Sequence, residues 1–70
     1  MKLSARNQLS GRVSNLELGA VMAEVTVDVE GQPIVAAITR ASAERLGLAE
    51  GQPVTVFIKA TEVILGVDEN

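Results

Sequence analysis

The chain has 70 residues, 47% of them hydrophobic, a formal net charge of −3, and neither cysteine nor histidine. Such a length gives one small domain with a marginal core; the missing Cys and His exclude disulfides, thiolate metal sites and the usual zinc sites, so assembly of several copies is the expected reinforcement. The acidic balance and the single aromatic, Phe57, exclude nucleic acid, which is held by excess Lys and Arg and by stacking on rings.

The chain opens with a polar arm, Ser4-Ala5-Arg6-Asn7-Gln8. Leu9 to Leu16 is expected to form a strand, closed by a turn at Glu17-Leu18-Gly19. Val21, Ala23, Val25, Val27 and Val29 then alternate with Met22, Glu24, Thr26 and Asp28, the period of a half-buried strand. Glu30-Gly31-Gln32-Pro33 has turn chemistry, and Ile34 to Thr39 is the return strand, so 21–39 predicts a hairpin. From Ala41 to Leu46 the pattern predicts one short helix, with Ser42 as N-cap and Gly47 as its left-handed stop. Ala49 to Pro53 is another turn, and Val54 to Ala60 alternates as a strand. After a break at Thr61-Glu62, Val63, Leu65 and Val67 alternate as a last strand, and Asp68, Glu69 and Asn70 are expected to fray.

The tetrapeptide Glu-Gly-Gln-Pro occurs at 30–33 and again at 50–53. The flanking residues do not match, so it reads as two turns leading into strands rather than as a duplicated unit. Five strands with one short helix do not make a βαβ sheet. The expected fold is all-β: a single domain over 1–70 forming a small, five-stranded, OB-like Greek-key barrel. No apolar run approaches the ~20 residues of a membrane span, and the first residues turn polar at once, without a signal peptide. The chain is expected to be cytoplasmic.

Catalysis finds little support. A nucleophile needs a neighbouring base, and without His or Cys only Lys59 could serve a Ser or Thr. The nine acidic residues fall mainly at turns and on solvent-facing strand positions, as Glu24, Asp28 and Glu30 show. No phosphate loop joins a strand to a helix. An enzyme is therefore not expected. What the sequence does offer is hydrogen-bond donors: the hydroxyls of Ser4, Thr39, Ser42 and Thr61, the cations Arg6 and Lys59, and backbone N–H groups where the helix begins. Each taken alone reads as a cap or a surface group. Gathered together, they would bind a small dianion through charge-assisted bonds of ~1.5–3 kcal/mol each. A site made of donors disfavours hydrogen phosphate, whose proton needs an acceptor, and favours sulfate, molybdate or tungstate.

Ser4-Ala5-Arg6-Asn7-Gln8-Leu9 with Gly11, Ala23-Glu24-Val25, Ala37-Ile38-Thr39, Ser42, Leu46-Gly47-Leu48, Gly51 and Ile58-Lys59-Ala60-Thr61 closely resemble the molbindin family, the Mop or TOBE domain, over Ser4 to about Leu65. The resemblance implies an OB-like barrel that binds molybdate, and tungstate with it, for molybdenum storage and homeostasis. It further implies a free-standing member that assembles as a hexamer, a trimer of dimers. In the site it implies, Thr39 and Ser42 come from one subunit, and Ser4, Arg6, Lys59 and the backbone N–H of Ala60 from a neighbour. Thr61 stands where Ser is also common, and Asn7 and Gln8 could reach a second site on a symmetry axis. The alternative is a non-catalytic interaction or assembly module that keeps the fold.

Overall fold

The computed structural model describes residues 1–69. The valine-rich alternation forms strand β2 (Met22–Val29), the centre of the hairpin with β3 (Gln32–Thr39). Strand β1 (Asn7–Leu18) lies on its other side, and β4 (Pro53–Ile58) pairs with the far edge of β1. All pairings are antiparallel, and the order β3-β2-β1-β4 is that of a Greek key. Helix α1 (Arg40–Leu46) joins β3 to the loop before β4, and a 3₁₀ turn spans Ala60–Glu62. No helix among the described residues is long and apolar enough to cross a membrane.

The core follows from the period-two faces. Ala23, Val25 and Val27 of β2 are buried with Val13 of β1 and Ala43 of α1, and Leu16, Val29, Ile38, Leu48, Val54 and Val56 pack around the central valines. In β1 the inward set changes phase. Val13 pairs with Val27 but Asn15, not Ser14, pairs with Thr26. The extra residue is a β-bulge; it moves the inward positions from Gly11 and Val13 to Leu16 and bends the strand around the core. The Ser14 hydroxyl donates to the Thr26 carbonyl at 3.2 Å and satisfies the interrupted ladder.

Several boundaries differ from the sequence expectation. β1 runs past both expected ends because it has a partner on each side: Asn7 and Gln8 pair with Ile58 and Phe57, and Glu17 and Leu18 with Glu24 and Ala23. The hairpin loop is only Glu30-Gly31, with φ of 51° and 85°, the two-residue turn whose twist suits a hairpin. Gln32 and Pro33 already belong to β3, where Pro is tolerated because β3 is an edge strand. The N-cap of α1 is Thr39 rather than Ser42: its backbone is extended (φ −72°, ψ 149°) and its side chain accepts the Ser42 N–H. β3 therefore passes into the helix without a linker. Gly47, at φ 64°, ends α1 as expected, with its N–H on the Glu44 carbonyl and that of Leu48 on the Ala43 carbonyl.

The largest departure is at the end. β4 stops at Ile58, the sheet has four strands rather than five, and residues 63–69 are exposed and form no regular element. Asp68 and Glu69 fit the expected fraying, while Asn70 lies outside the described residues.

Two substitutions test this account. A Cβ at Gly11 would stand 2.5 Å from the Asp28 carbonyl oxygen and 2.7 Å from Cγ1 of Val27. Gly11→Ala is expected to lower stability by about 1–3 kcal/mol in urea denaturation. Glu30 holds a left-handed backbone that costs a non-glycine residue about 1–2 kcal/mol. Glu30→Asn, which suits that turn, is expected to raise the urea midpoint.

Candidate anion-binding site

The first donor cluster is made by the antiparallel pairing of β1 with β4. Asn7 pairs with Ile58, so the segment that leads into β1 and the segment that leaves β4 emerge side by side. Ser4, Ala5, Arg6, Phe57, Lys59, Ala60 and Thr61 line one open groove of about 470 Å³. Five of the seven residues expected in the site thus line one groove at the end of the β1–β4 pairing. No carboxylate lines the groove, and among the described residues neither Arg6 nor Lys59 pairs with one. Two cations therefore face it without a counter-charge. The 3₁₀ turn adds backbone donors: Glu62 N–H returns to the Lys59 carbonyl at 2.9 Å, while neither the Ala60 nor the Thr61 N–H donates to a backbone carbonyl among the described residues. The first amides of a helical turn have no partner within it. A larger concavity of about 580 Å³ beside β4 carries no charged side chain and has no comparable chemistry.

The second cluster is Thr39 and Ser42 at the start of α1. The Thr39 hydroxyl accepts the Ser42 N–H at 3.0 Å and donates to the Ser42 hydroxyl at 2.8 Å. One hydroxyl proton is spent between the two side chains, which leaves the Ser42 proton for an incoming acceptor. Arg40 steadies this corner. Its N–H donates to the Val21 carbonyl at 2.8 Å, its guanidinium donates to the Gly19 carbonyl at 3.2 Å, and the guanidinium lies 3.6 Å from Glu44.

The two clusters do not meet within the chain. Thr39 pairs with Met22, beside the turn that follows Leu18, whereas Lys59 follows Ile58, the partner of Asn7. They lie at opposite ends of β1, a strand of 12 residues that spans roughly 35–40 Å along its length. One small anion does not touch both in a single copy.

Asn7 and Gln8, expected at a second site, point their amide groups inward to the backbone. Asn7 Nδ2 donates to the Ile58 carbonyl at 3.2 Å, and Gln8 Nε2 to the Ala5 carbonyl at 2.9 Å. These bonds fix the arm that carries Ser4 and Arg6. Phe57 is a wall of the groove that the sequence reading did not include. Its signal was present in the alternation, which puts Phe57 on the same face as Lys59.

Known proteins share this sequence and fold. The TOBE domain family matches residues 3–65. Molybdenum-pterin-binding protein 1 of Clostridium pasteurianum is 42% identical over 66 residues, covering 93% of this chain and 97% of that protein. The structure of a molybdate binding protein from Sporomusa ovata superposes with a TM-score of 0.91 at 42% identity, over 96% of this chain and all of that one. The cytoplasmic molybdate-binding protein ModG, crystallised with molybdate bound, gives a TM-score of 0.90 at 45% identity, over 97% of this chain and 49% of that one. The OB-like architecture is shared with these structures.

Thr39 closes a strand, caps a helix and carries a donor. Thr39→Ala is expected to cost about 1 kcal/mol of stability, and Thr39→Ser to keep most of it, as measured by urea denaturation.

Proposed function

The chain belongs to the TOBE domain family, and on that premise we propose that it binds molybdate, and tungstate with it, as an intracellular store that releases the anion unchanged. The observation that carries this reading is the groove lined by Arg6, Lys59, Ser4 and Thr61 with no carboxylate among them. Two cations and several N–H and O–H donors match a tetrahedral dianion, which has acceptors on every side. Hydrogen phosphate brings a proton into a groove that has no carboxylate to receive it, and a buried unmade bond costs ~1–3 kcal/mol.

The site is completed between subunits. Thr39 and Ser42 of one copy meet the Ser4, Arg6, Lys59, Ala60 and Thr61 groove of another. Support comes from the placement of the clusters at opposite ends of β1, since a full donor shell then requires a second chain. The assembly is a hexamer, a trimer of dimers, in the cytoplasm. No covalent step occurs: capture is reversible and rests on donors already in position. Asn7 and Gln8 hold the Ile58 and Ala5 carbonyls with one amide N–H each, and the second N–H of each amide serves a further anion site on a symmetry axis.

Titration calorimetry tests the reading. Molybdate and tungstate are expected to bind at least tenfold more tightly than hydrogen phosphate; equal, weak binding of all three would sink the claim. Lys59→Ala is expected to lower molybdate affinity about tenfold or more, the worth of one charge-assisted bond, with the sheet signal in circular dichroism unchanged. Unaltered affinity would remove Lys59 from the site.

A further inference from the structure

The largest apolar side chain of the molecule stands outside its core. Phe57 is the single aromatic residue and lies in β4 between Val56 and Ile58. From β4 it is Val54 and Val56 that pack against the central valines. Successive strand residues point to opposite faces, so Phe57 falls on the other face. It is nevertheless half-buried. Aromatic rings usually dominate the energetics of a core; here the ring serves a surface.

That surface is the anion groove. Apart from Phe57, its lining consists of four side chains with donors, Ser4, Arg6, Lys59 and Thr61, and two alanines. Phe57 is thus the one lining side chain that is both bulky and unable to hydrogen-bond. Its cross-strand partner is Gln8, whose amide holds the Ala5 carbonyl at 2.9 Å, so the residue opposite Phe57 ties down a second member of the lining. A ring in this place displaces water from beside the two cations. Coulomb attraction is about fourfold stronger at an effective dielectric near 20 than in bulk water, whereas exposed opposite charges gain little from each other. The donors alone leave one discrimination unmade. They offer sulfate the same bonds as molybdate, since both are tetrahedral dianions without a proton. The cost of taking an ion out of water falls as its radius grows, and sulfate is the smaller of the two. A drier groove therefore penalises sulfate more.

We propose that Phe57 determines the affinity and selectivity of the groove: as an apolar wall that makes no hydrogen bond to the ligand, it excludes water from Arg6 and Lys59 and so favours molybdate over sulfate. The proposal rests on the anion reading and deepens it, because it gives selectivity to a residue that is not a donor. The donors decide that a proton-free tetrahedral dianion binds, and the ring decides which one.

Titration of the full chain and of Phe57 variants with molybdate and with sulfate tests this. The unaltered chain is expected to hold molybdate at least about tenfold more tightly than sulfate. Phe57→Ala is expected to lower molybdate affinity about tenfold and to narrow the molybdate-to-sulfate ratio to within about threefold, as water enters the groove. Phe57→Thr, which suits a strand and also admits water, is expected to repeat that result, and Phe57→Leu, which keeps an apolar wall, to retain most of the ratio. A ratio in Phe57→Ala or Phe57→Thr equal to that of the unaltered chain would overturn the proposal, even if both affinities fell together, since a common fall marks a structural role. Loss of the ratio in Phe57→Leu, with the sheet signal in circular dichroism unchanged, would overturn it too. An unaltered chain that binds neither anion would overturn the anion reading itself, whereas molybdate selectivity indifferent to Phe57 would overturn this proposal alone.

Discussion

Everything in this molecule hangs on β1 having a partner along each edge. Its pairing with β2 builds the core and its pairing with β4 builds the groove, and both registers are antiparallel. The strand is held to one path by the absence of a side chain at Gly11, where the Asp28 carbonyl and the Val27 side chain come too close for a Cβ. A bulge at Ser14 then bends it around the buried valines. Because the same strand sets both registers, the segments that carry Ser4, Arg6, Lys59 and Thr61 leave the sheet side by side at one end of β1. Gln8 and Asn7 extend that control outward by holding the Ala5 and Ile58 carbonyls.

The fold was legible in the sequence wherever one physical signal dominated. The valine alternation of 21–29, the turn at Glu30-Gly31 and the stop at Gly47 each follow from local chemistry. The phase change in β1 was not legible, because Ser14 is an ordinary strand residue and only the pairing with Thr26 reveals it as the extra one. Nor was the capping role of Thr39: Ser42 is as good a cap by type, and the choice was made by where β3 ends. Alternation at 63–67 signals a strand without supplying a partner, and the sheet of four strands has no counterpart to the expected fifth. The donor cluster around Arg6 and Lys59 could be named from residue type, but its convergence needed the register. Phe57 was missed as a groove wall because period two assigns a face and not a neighbour.

An acidic chain that gathers cations at one place must keep its carboxylates off the lining of that place. Glu17 and Glu24 face each other across β1 and β2 at the end of β1 away from the groove, while Asp28 and Glu30 at the hairpin turn and Glu62 in the 3₁₀ turn stand nearer to it without lining it. Salt screens exposed charges over about 10 Å at 0.1 M, so a distant carboxylate matters little to an anion in the groove while a lining one would matter greatly. Net charge therefore says less about what this surface attracts than the local order of Arg6, Lys59 and the amides of the 3₁₀ turn does.

A protomer with a groove at one end of β1 and a hydroxyl pair at the other is a polar object, in the sense that an arrow is. If unlike ends meet, the contact joins two different patches, so each copy that donates one end still has its other end free. Such head-to-tail contacts either turn through an angle that closes a ring or continue without limit. Ring closure then makes the last contact unlike the first, since it forms within an assembly already held together and loses no further translational freedom. The bend of one strand, through the angle it sets between the two ends, would thereby decide whether this small chain makes discrete particles or filaments.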